Sequence, residues 1–276
     1  MNYIYPDICE IGWSLVLSAH LRWMKKNTDH QIAVMTTKNK LPLYNFVDES
    51  FEIPEEFHQK FKGEPSFFGH KKKDMDEIRK YFNTVINAVY TIPAYYAFVQ
   101  RDIKLVSKRT LFSPYDCANP HKGKCILVFP RHRKGKFGIR NLPEKFYKDL
   151  IKYLCKEFPD TLIVSMGVPS GSYSIDISLK NYVNKVSSNN TLQDLIDYCY
   201  SCICAIGGTS APPKLTLLQG VPTYIIGHEK NRMTIYDNWL NTRVGFWEIK
   251  KSCYNSFCEE HCIADIGGFI KNGRRI

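Results

Sequence analysis

Short apolar runs alternate along this chain with stretches whose apolar residues recur every three or four positions. Residues 2–5 read as a short strand, and in residues 12–26 Trp13, Leu17, Leu21 and Met24 form one helical stripe. QIAVMT (31–36) reads as a buried strand and 51–53 as a weaker one, while 74–100 reads as a long aromatic-rich helical region broken at Pro93. The stretch 107–123, with Pro114, Asn119, Pro120 and Gly123, reads as a linker. The second half is more regular. CILVF (125–129), TLIVSM (161–166), 202–206 and 223–226 read as buried strands. Between them lie helices over 141–158, with Asn141 as N-cap and Glu144 in the first turn, over 191–199, capped by Asn190, and over 212–219. Strands and helices alternating at this spacing predict an α/β protein: two domains with parallel sheets covered on both faces, the boundary near 115–123.

Composition supports a folded chain. With 44% hydrophobic and 24% charged residues in 276, it can bury a core and is not a disordered protein. No run approaches the ~18 to 20 apolar residues of a membrane span, and the N-terminus lacks the basic-then-apolar order of a secretory signal, so a cytoplasmic protein is expected. The ten cysteines form no small-scaffold framework and are expected to be reduced. Cys199, Cys202 and Cys204 fit a helix running into a buried strand. Cys253, Cys258, His261 and Cys262 lack the paired spacing of a zinc site, and no metal is expected.

Charge changes the picture. The net charge is +11, and residues 101–156 carry 15 Lys and Arg against four acids, so that this one fifth of the chain holds the whole surplus. Such a concentration implies a polyanionic partner. Lys145, Lys148, Lys152 and Lys156, spaced along one predicted helix, read instead as a solvated face, and His20 reads as structural.

Parallel α/β sheets bind ligands beyond the C-terminal ends of their strands, and two such ends carry chemistry. CILVF is followed by PRHRKGKFGIR (130–140), a loop with cations to neutralise a diphosphate and glycines to let the backbone approach it. The strand 202–206 is followed by Gly207, Gly208, Thr209 and Ser210 before a helix, a second anion cradle of hydroxyls, backbone N–H groups and a helix dipole. The GxxxxGK[ST] pattern of a Walker A loop is absent.

The run NTLQDLIDYCYSCICAIGGTSAPPKLTLLQGVPTYIIG (190–227) resembles the C-terminal domain of the heptosyltransferase-like glycosyltransferases (lipopolysaccharide heptosyltransferase, family 9). That family has a short helix, a strand ending in a small-polar turn, a helix, then Gly-Val-Pro and another strand. CILVFPRHRKGKFGIRNLPEKFYKDLIKYL is similar to the family's preceding strand, basic loop and helix, and EIGWSLVLSAHLR (10–22) resembles the glycine-containing loop and first helix of its N-terminal domain. The resemblance, in pieces, covers about 60% of the chain. It departs from the family at two places: Thr209 and Lys214 stand where the family has an aspartate and a histidine, and Trp13 where it has an aspartate.

The resemblance implies a GT-B fold, two Rossmann-like domains facing a central cleft. Residues 1–118 would form the acceptor side, 119–250 would bind the nucleotide-sugar, and 251–276 would pack back toward the first domain. The implied activity is transfer of a sugar from a nucleotide-diphosphate donor to a hydroxyl acceptor, metal-independent and inverting, with the nucleotide-sugar as co-substrate and no other cofactor. Such a transfer needs a base for the acceptor proton and cations or dipoles for the departing diphosphate. Glu10 is the first candidate for the base and Asp7 the substitute. Arg131, Lys134, Lys136, Arg140, Gly208, Thr209, Ser210 and Lys214 are the candidates for the diphosphate, and Gly167 and Val168 for the nucleobase wall. The acceptor is a glycan or, alternatively, a modified (hydroxymethylated) DNA base, for which Lys104, Lys108, Arg109, Lys122 and Lys124 would supply phosphate contacts. A non-enzymatic nucleic-acid-binding protein and a GT-B-shaped epimerase are the remaining readings. RNP-type and zinc-finger patterns are missing for the former.

Overall fold

The apolar runs become parallel strands in two separate sheets. The computed structural model describes residues 2–7, 11–53, 80, 90–91, 123, 125–228, 242–249 and 257–273, apart from the side chains of Trp13, Lys136 and Phe137. The chain divides into two compact units, Met1–Phe112 and Ser113–Ile276, and the division falls inside the Pro- and Asn-containing stretch that reads as a linker.

In the first unit β1 (Asn2–Asp7), β2 (Gln31–Thr36) and β3 (Glu49–Glu52) lie side by side in that order, all parallel. Helix α1 (Ile11–Asn27) makes the crossover from β1 to β2 and buries Leu15, Leu17, Leu21 and Met24. Its last turn carries Lys25 and Lys26, which suits the negative end of the helix dipole, and Lys25 pairs with Asp48 at 2.7 Å. A 3₁₀ turn over Lys38–Tyr44 follows β2; its short, Pro-containing sequence gives no periodic signal. Most of the helical region read over 74–100 lies outside the described residues. Thr91 within it is not helical: it pairs with the free edge of β1, donating to the Asn2 carbonyl (2.9 Å) and accepting from the Ile4 N–H (3.1 Å).

The second unit is one six-stranded parallel sheet. Its strands are β4 (Cys125–Phe129), β5 (Leu162–Gly167), β6 (Tyr182–Val186), β7 (Cys204–Gly208), β8 (Thr223–Gly227) and β9 (Val244–Glu248). Their order across the sheet is β6-β5-β4-β7-β8-β9. Successive strands step outward to one side of β4 and then, from β7, to the other, which is the doubly wound order. The alternation of side chains along each strand sorts the core. Ile126, Val128, Cys204, Ile206, Tyr224 and Ile226 join one buried cluster with α2 (Glu144–Glu157) and α5 (Glu259–Gly273). The alternate positions face α3 (Leu192–Ser201) and α4 (Ala211–Leu218); there the Thr216 and Thr223 hydroxyls meet at 2.7 Å.

Two helix-cap readings change. Helix α2 begins at Glu144 after Pro143, not at an Asn141 cap, and Asn141 serves the loop before it. Thr191 caps α3 in a reciprocal capping box with Asp194, while Asn190 donates to the carbonyls of Gly167 (2.7 Å) and Lys185 (2.5 Å). Strands β6 and β9 had no sequence signal, β6 because its YVNKV run is half polar, β9 because a glycine interrupts it. Helix α5, in the segment expected to reach back toward the first domain, is built into the core of the second unit through Cys262, Ile263, Ile266 and Ile270. Lys271 fixes its last turn to Glu157 of α2 at 2.6 Å.

Candidate functional site

The order β6-β5-β4-β7-β8-β9 puts the switch point between β4 and β7, where loops leaving the two strands turn in opposite directions and open a crevice. The two segments singled out in the sequence, the loop 130–140 after β4 and the turn 207–210 at the end of β7, flank that switch point. They touch: the Arg140 guanidinium donates to the Thr209 carbonyl at 3.4 Å.

The β4 loop is held from within. Asn141 accepts from the Arg131 guanidinium (2.7 Å) and the Arg133 N–H (3.0 Å) through one oxygen and donates to the Arg133 carbonyl (2.8 Å). Arg131 is itself only 5% exposed, and its backbone N–H reaches the hydroxyl of Tyr147 on α2 at 3.2 Å. A guanidinium this enclosed is fixed before any anion arrives, which is what a preorganised site requires. Lys134 is exposed at the start of a 3₁₀ turn, Gly135–Arg140. The Lys136 side chain lies outside the described residues.

The β7 turn is tight. A Cβ on Gly207 would stand 2.7 Å from Pro213 Cγ and 3.1 Å from Phe129 Cβ, so only glycine lets α4 close on the sheet here. Ser210 takes the N-cap position without capping, its hydroxyl lying 3.4 Å from the Gly208 carbonyl. Pro212 and Pro213 occupy the first turn and carry no N–H, so α4 offers fewer backbone donors than the sequence suggested; its dipole remains. Thr209 is 6% exposed, and its buried hydroxyl has no hydrogen-bond partner among the described residues. A buried hydroxyl left unsatisfied costs about 1–3 kcal/mol, a cost that a ligand oxygen at this point would remove. Lys214, half-buried, follows in the first turn of α4.

Beside β4, the end of β5 is closed. A Cβ on Gly167 would meet Ser172 Cβ at 2.7 Å, and the Gly167 carbonyl is taken by Asn190 and by the Ser187 N–H (3.2 Å). Gly167 therefore serves the close approach of the loop 168–175 to the strand. Val168 is 40% exposed beyond it. That loop is zipped to the β4 loop: His132 N–H donates to the Gly171 carbonyl (2.8 Å) and Tyr173 N–H to the Pro130 carbonyl (2.7 Å). The rings of His132 and Tyr173 stack at 4.2 Å and 10°. Tyr147, Tyr173 and the clamp of Asn141 escaped the sequence reading. Tyr173 sits in an aperiodic loop, and Asn141 before a helix reads more readily as a cap.

In the first unit, Glu10 lies outside the described residues. Asp7, at the C-terminal end of β1, is fully buried. Its carboxylate accepts from Ser14 (2.9 Å), Tyr44 (2.7 Å) and Thr36 (3.4 Å) and pairs with Lys40 at 3.4 Å. With both oxygens so occupied, Asp7 ties α1, β2 and the 3₁₀ turn together and offers no lone pair to an acceptor hydroxyl.

The basic surplus is partly spent internally. Lys145 pairs with Asp149 at 2.7 Å and approaches Glu259 at 3.8 Å, and Lys148 pairs with Glu144 at 2.7 Å, so that face of α2 is nearly balanced. Lys104, Lys108, Arg109, Lys122, Lys124 and Cys253 lie outside the described residues. Among the described residues no group of three His, Cys, Asp or Glu could hold a metal ion: Cys258 and His261 are exposed and Cys262 is in the core. No helix among them is long and apolar enough to cross a membrane.

No protein-family model matches the sequence, and no curated protein matches it. Solved structures do. The chain is similar to a family 9 glycosyltransferase from Veillonella parvula DSM 2008, with TM-score 0.65 and 11% identity over 98% of this chain and 97% of that one. It is similar to the E. coli ADP-heptose LPS heptosyltransferase II, with TM-score 0.64 and 9% identity over 99% and 100% of the two chains. It is also similar to E. coli heptosyltransferase WaaC, solved with ADP, with TM-score 0.60 and 9% identity over 99% and 100%. At these identities the likeness is one of fold. The chain has the two-domain, Rossmann-like GT-B fold.

Proposed function

We propose that this protein is a glycosyltransferase that takes its sugar from a nucleotide-diphosphate donor bound by the second unit. The observation that carries the reading is the meeting of the two loops at the switch point, where the Arg140 guanidinium of one reaches the Thr209 carbonyl of the other, beside an enclosed Arg131 on the first loop and an unsatisfied Thr209 hydroxyl on the second. The similar structures add that the fold is one on which heptosyltransferases are built, one of them solved with ADP.

In the proposed reaction an acceptor hydroxyl oxygen attacks the anomeric carbon from the face opposite the diphosphate. The bond from that carbon to the diphosphate oxygen breaks, and the electron pair leaves with the nucleoside diphosphate. Configuration at the carbon inverts. Glu10 takes the acceptor proton; Asp7, enclosed in the core, positions the start of α1. Arg131 and Arg140 neutralise the departing diphosphate, with Lys134, Lys136 and Lys214 as further cations around it, and Thr209 and Ser210 donate hydrogen bonds. These cations supply the charge that a bridging metal supplies elsewhere. The acceptor is a glycan hydroxyl. The cations that the DNA-modifying alternative would use, Lys104, Lys108, Arg109, Lys122 and Lys124, lie outside the described residues, and no observation specific to that alternative favours it over a glycan acceptor.

A thermal-shift panel of UDP-, GDP-, ADP-, CDP- and TDP-sugars tests this on wild type and Thr209→Val. Saturating donor should stabilise wild type by about 2 to 4 kcal/mol at 100 to 1,000 times its dissociation constant. Thr209→Val removes an unsatisfied hydroxyl at nearly constant shape, so the free protein should keep or gain stability. Its donor affinity should fall by about tenfold or more, the loss of one hydrogen bond to a charged group. A panel with no shift, or a valine variant that binds like wild type, would sink the reading.

A further inference from the structure

We propose that the stacked His132–Tyr173 pair is the platform on which the base of the bound nucleotide rests. This rests on the donor-site reading above and moves the base away from Gly167 and Val168.

With phosphate held between the β4 and β7 loops, a nucleoside attached to it extends along the sheet's C-terminal edge toward the strand after the phosphate loop. In this sheet that strand is β5. The end of β5 itself presents no flat surface to an aromatic ring: Ser172 covers Gly167, Asn190 holds its carbonyl, and the exposed Val168 beyond it is a small branched side chain. What stands at that edge instead is an imidazole, one residue along from Arg131, stacked at 10° on a tyrosine ring.

The pair is braced from both sides. Two backbone hydrogen bonds, His132 N–H to the Gly171 carbonyl at 2.8 Å and Tyr173 N–H to the Pro130 carbonyl at 2.7 Å, lock the loops that carry the rings. Behind Tyr173 lies Tyr147, fully buried, with its ring centroid 6.1 Å away and its hydroxyl accepting from the Arg131 N–H. Three rings thus run from the core outward, from a fully buried tyrosine to a half-buried histidine beside the anion site. A flat, half-buried ring fixed at the end of such a series is suited to one more flat ring, and base stacking on an aromatic side chain tolerates any base. Stacking therefore supplies affinity for the nucleoside while leaving the choice of base to other contacts.

Titration calorimetry of wild type, His132→Ala and His132→Phe against ADP, UDP, GDP and inorganic pyrophosphate separates the possibilities. Wild type should bind at least one nucleoside diphosphate more tightly than pyrophosphate. His132→Ala should weaken that nucleotide roughly tenfold while leaving pyrophosphate unchanged, and His132→Phe should restore it. Equal weakening of nucleotide and pyrophosphate by His132→Ala would show that the stack only braces the anion loop and overturn the proposal alone. So would no weakening at all, or a wild type that binds nucleotide no more tightly than pyrophosphate. A wild type that binds neither would overturn the donor-site reading, and this proposal with it.

Discussion

Asp7 shows what burial does to a residue that looks catalytic. Its carboxylate has no solvent exposure and is surrounded by Ser14 of α1, Thr36 of β2, and Lys40 and Tyr44 of the 3₁₀ turn. Lys40 is nearly as buried, at 4% exposure, so the pair is an ion pair inside the core. Removing one member leaves the other charge uncompensated, which costs about 3–5 kcal/mol. Asp7→Ala should therefore lower the stability of the free protein by that order in urea denaturation, where a purely catalytic residue would leave it unchanged. The cysteines make the same point in reverse. Burial raises the thiols of Cys199 and Cys202 well above their ordinary range and that of Cys204 to about 12, so these are core residues, not nucleophiles.

Among the elements, α3 has a well-defined start. Thr191 accepts from the Asp194 N–H at 3.1 Å, and the Asp194 carboxylate accepts from the Thr191 hydroxyl (2.6 Å) and N–H (2.8 Å). The Thr191 side chain, then its backbone N–H, hold the Asp194 carboxyl below its usual range. A depressed carboxylate stabilises the fold above its unfolded pKa, about 3.9, and the contribution disappears as pH falls through the lower folded value. Asp194→Asn should thus cost stability at neutral pH, by about 1 kcal/mol or less for so exposed a cap. The difference from wild type should vanish on acidification below about pH 4, as thermal unfolding across that range would show.

For the whole molecule, the C-terminal helix matters most. Helix α5 contributes Cys262, Ile263, Ile266 and Ile270 to the cluster that also holds α2 and the face of β4, β7 and β8. Tyr224 on β8 donates to Asp265, Phe269 packs edge-on to Tyr224 at 5.4 Å, and Arg243 lies over the Phe269 ring at 4.3 Å. Burial and the Asp265 carboxylate both push the Tyr224 hydroxyl above its ordinary range, so it stays a donor at any working pH. A chain ending at residue 256 would expose this face of the sheet. It should lose cooperative unfolding in the second unit and gain binding of a hydrophobic dye, measured by calorimetry and fluorescence.

The sequence by itself determined the class of the fold and the location of its chemistry. Buried parallel strands are read from continuous apolar runs such as CILVF, and an anion-binding loop from cations and glycines directly after one, because both signals are local. Neighbouring residues along the chain thus placed Arg131, Arg140 and Thr209 at strand ends. The local pattern could not say that the β4 and β7 loops would face each other, since that depends on the order of strands in the sheet. Nor could it give the partners of single side chains. Asn141 and Asn190 read as caps and instead bind loops 8 and 23 residues away, and Asp7 reads as a substitute for the catalytic base and is held by residues up to 37 away. Tyr173 acquires a role only because the chain returns to lie against His132. The tertiary structure alone decided these, for a physical reason: hydrogen bonds and ring contacts are made with whatever folding brings within reach, and sequence distance does not limit that reach.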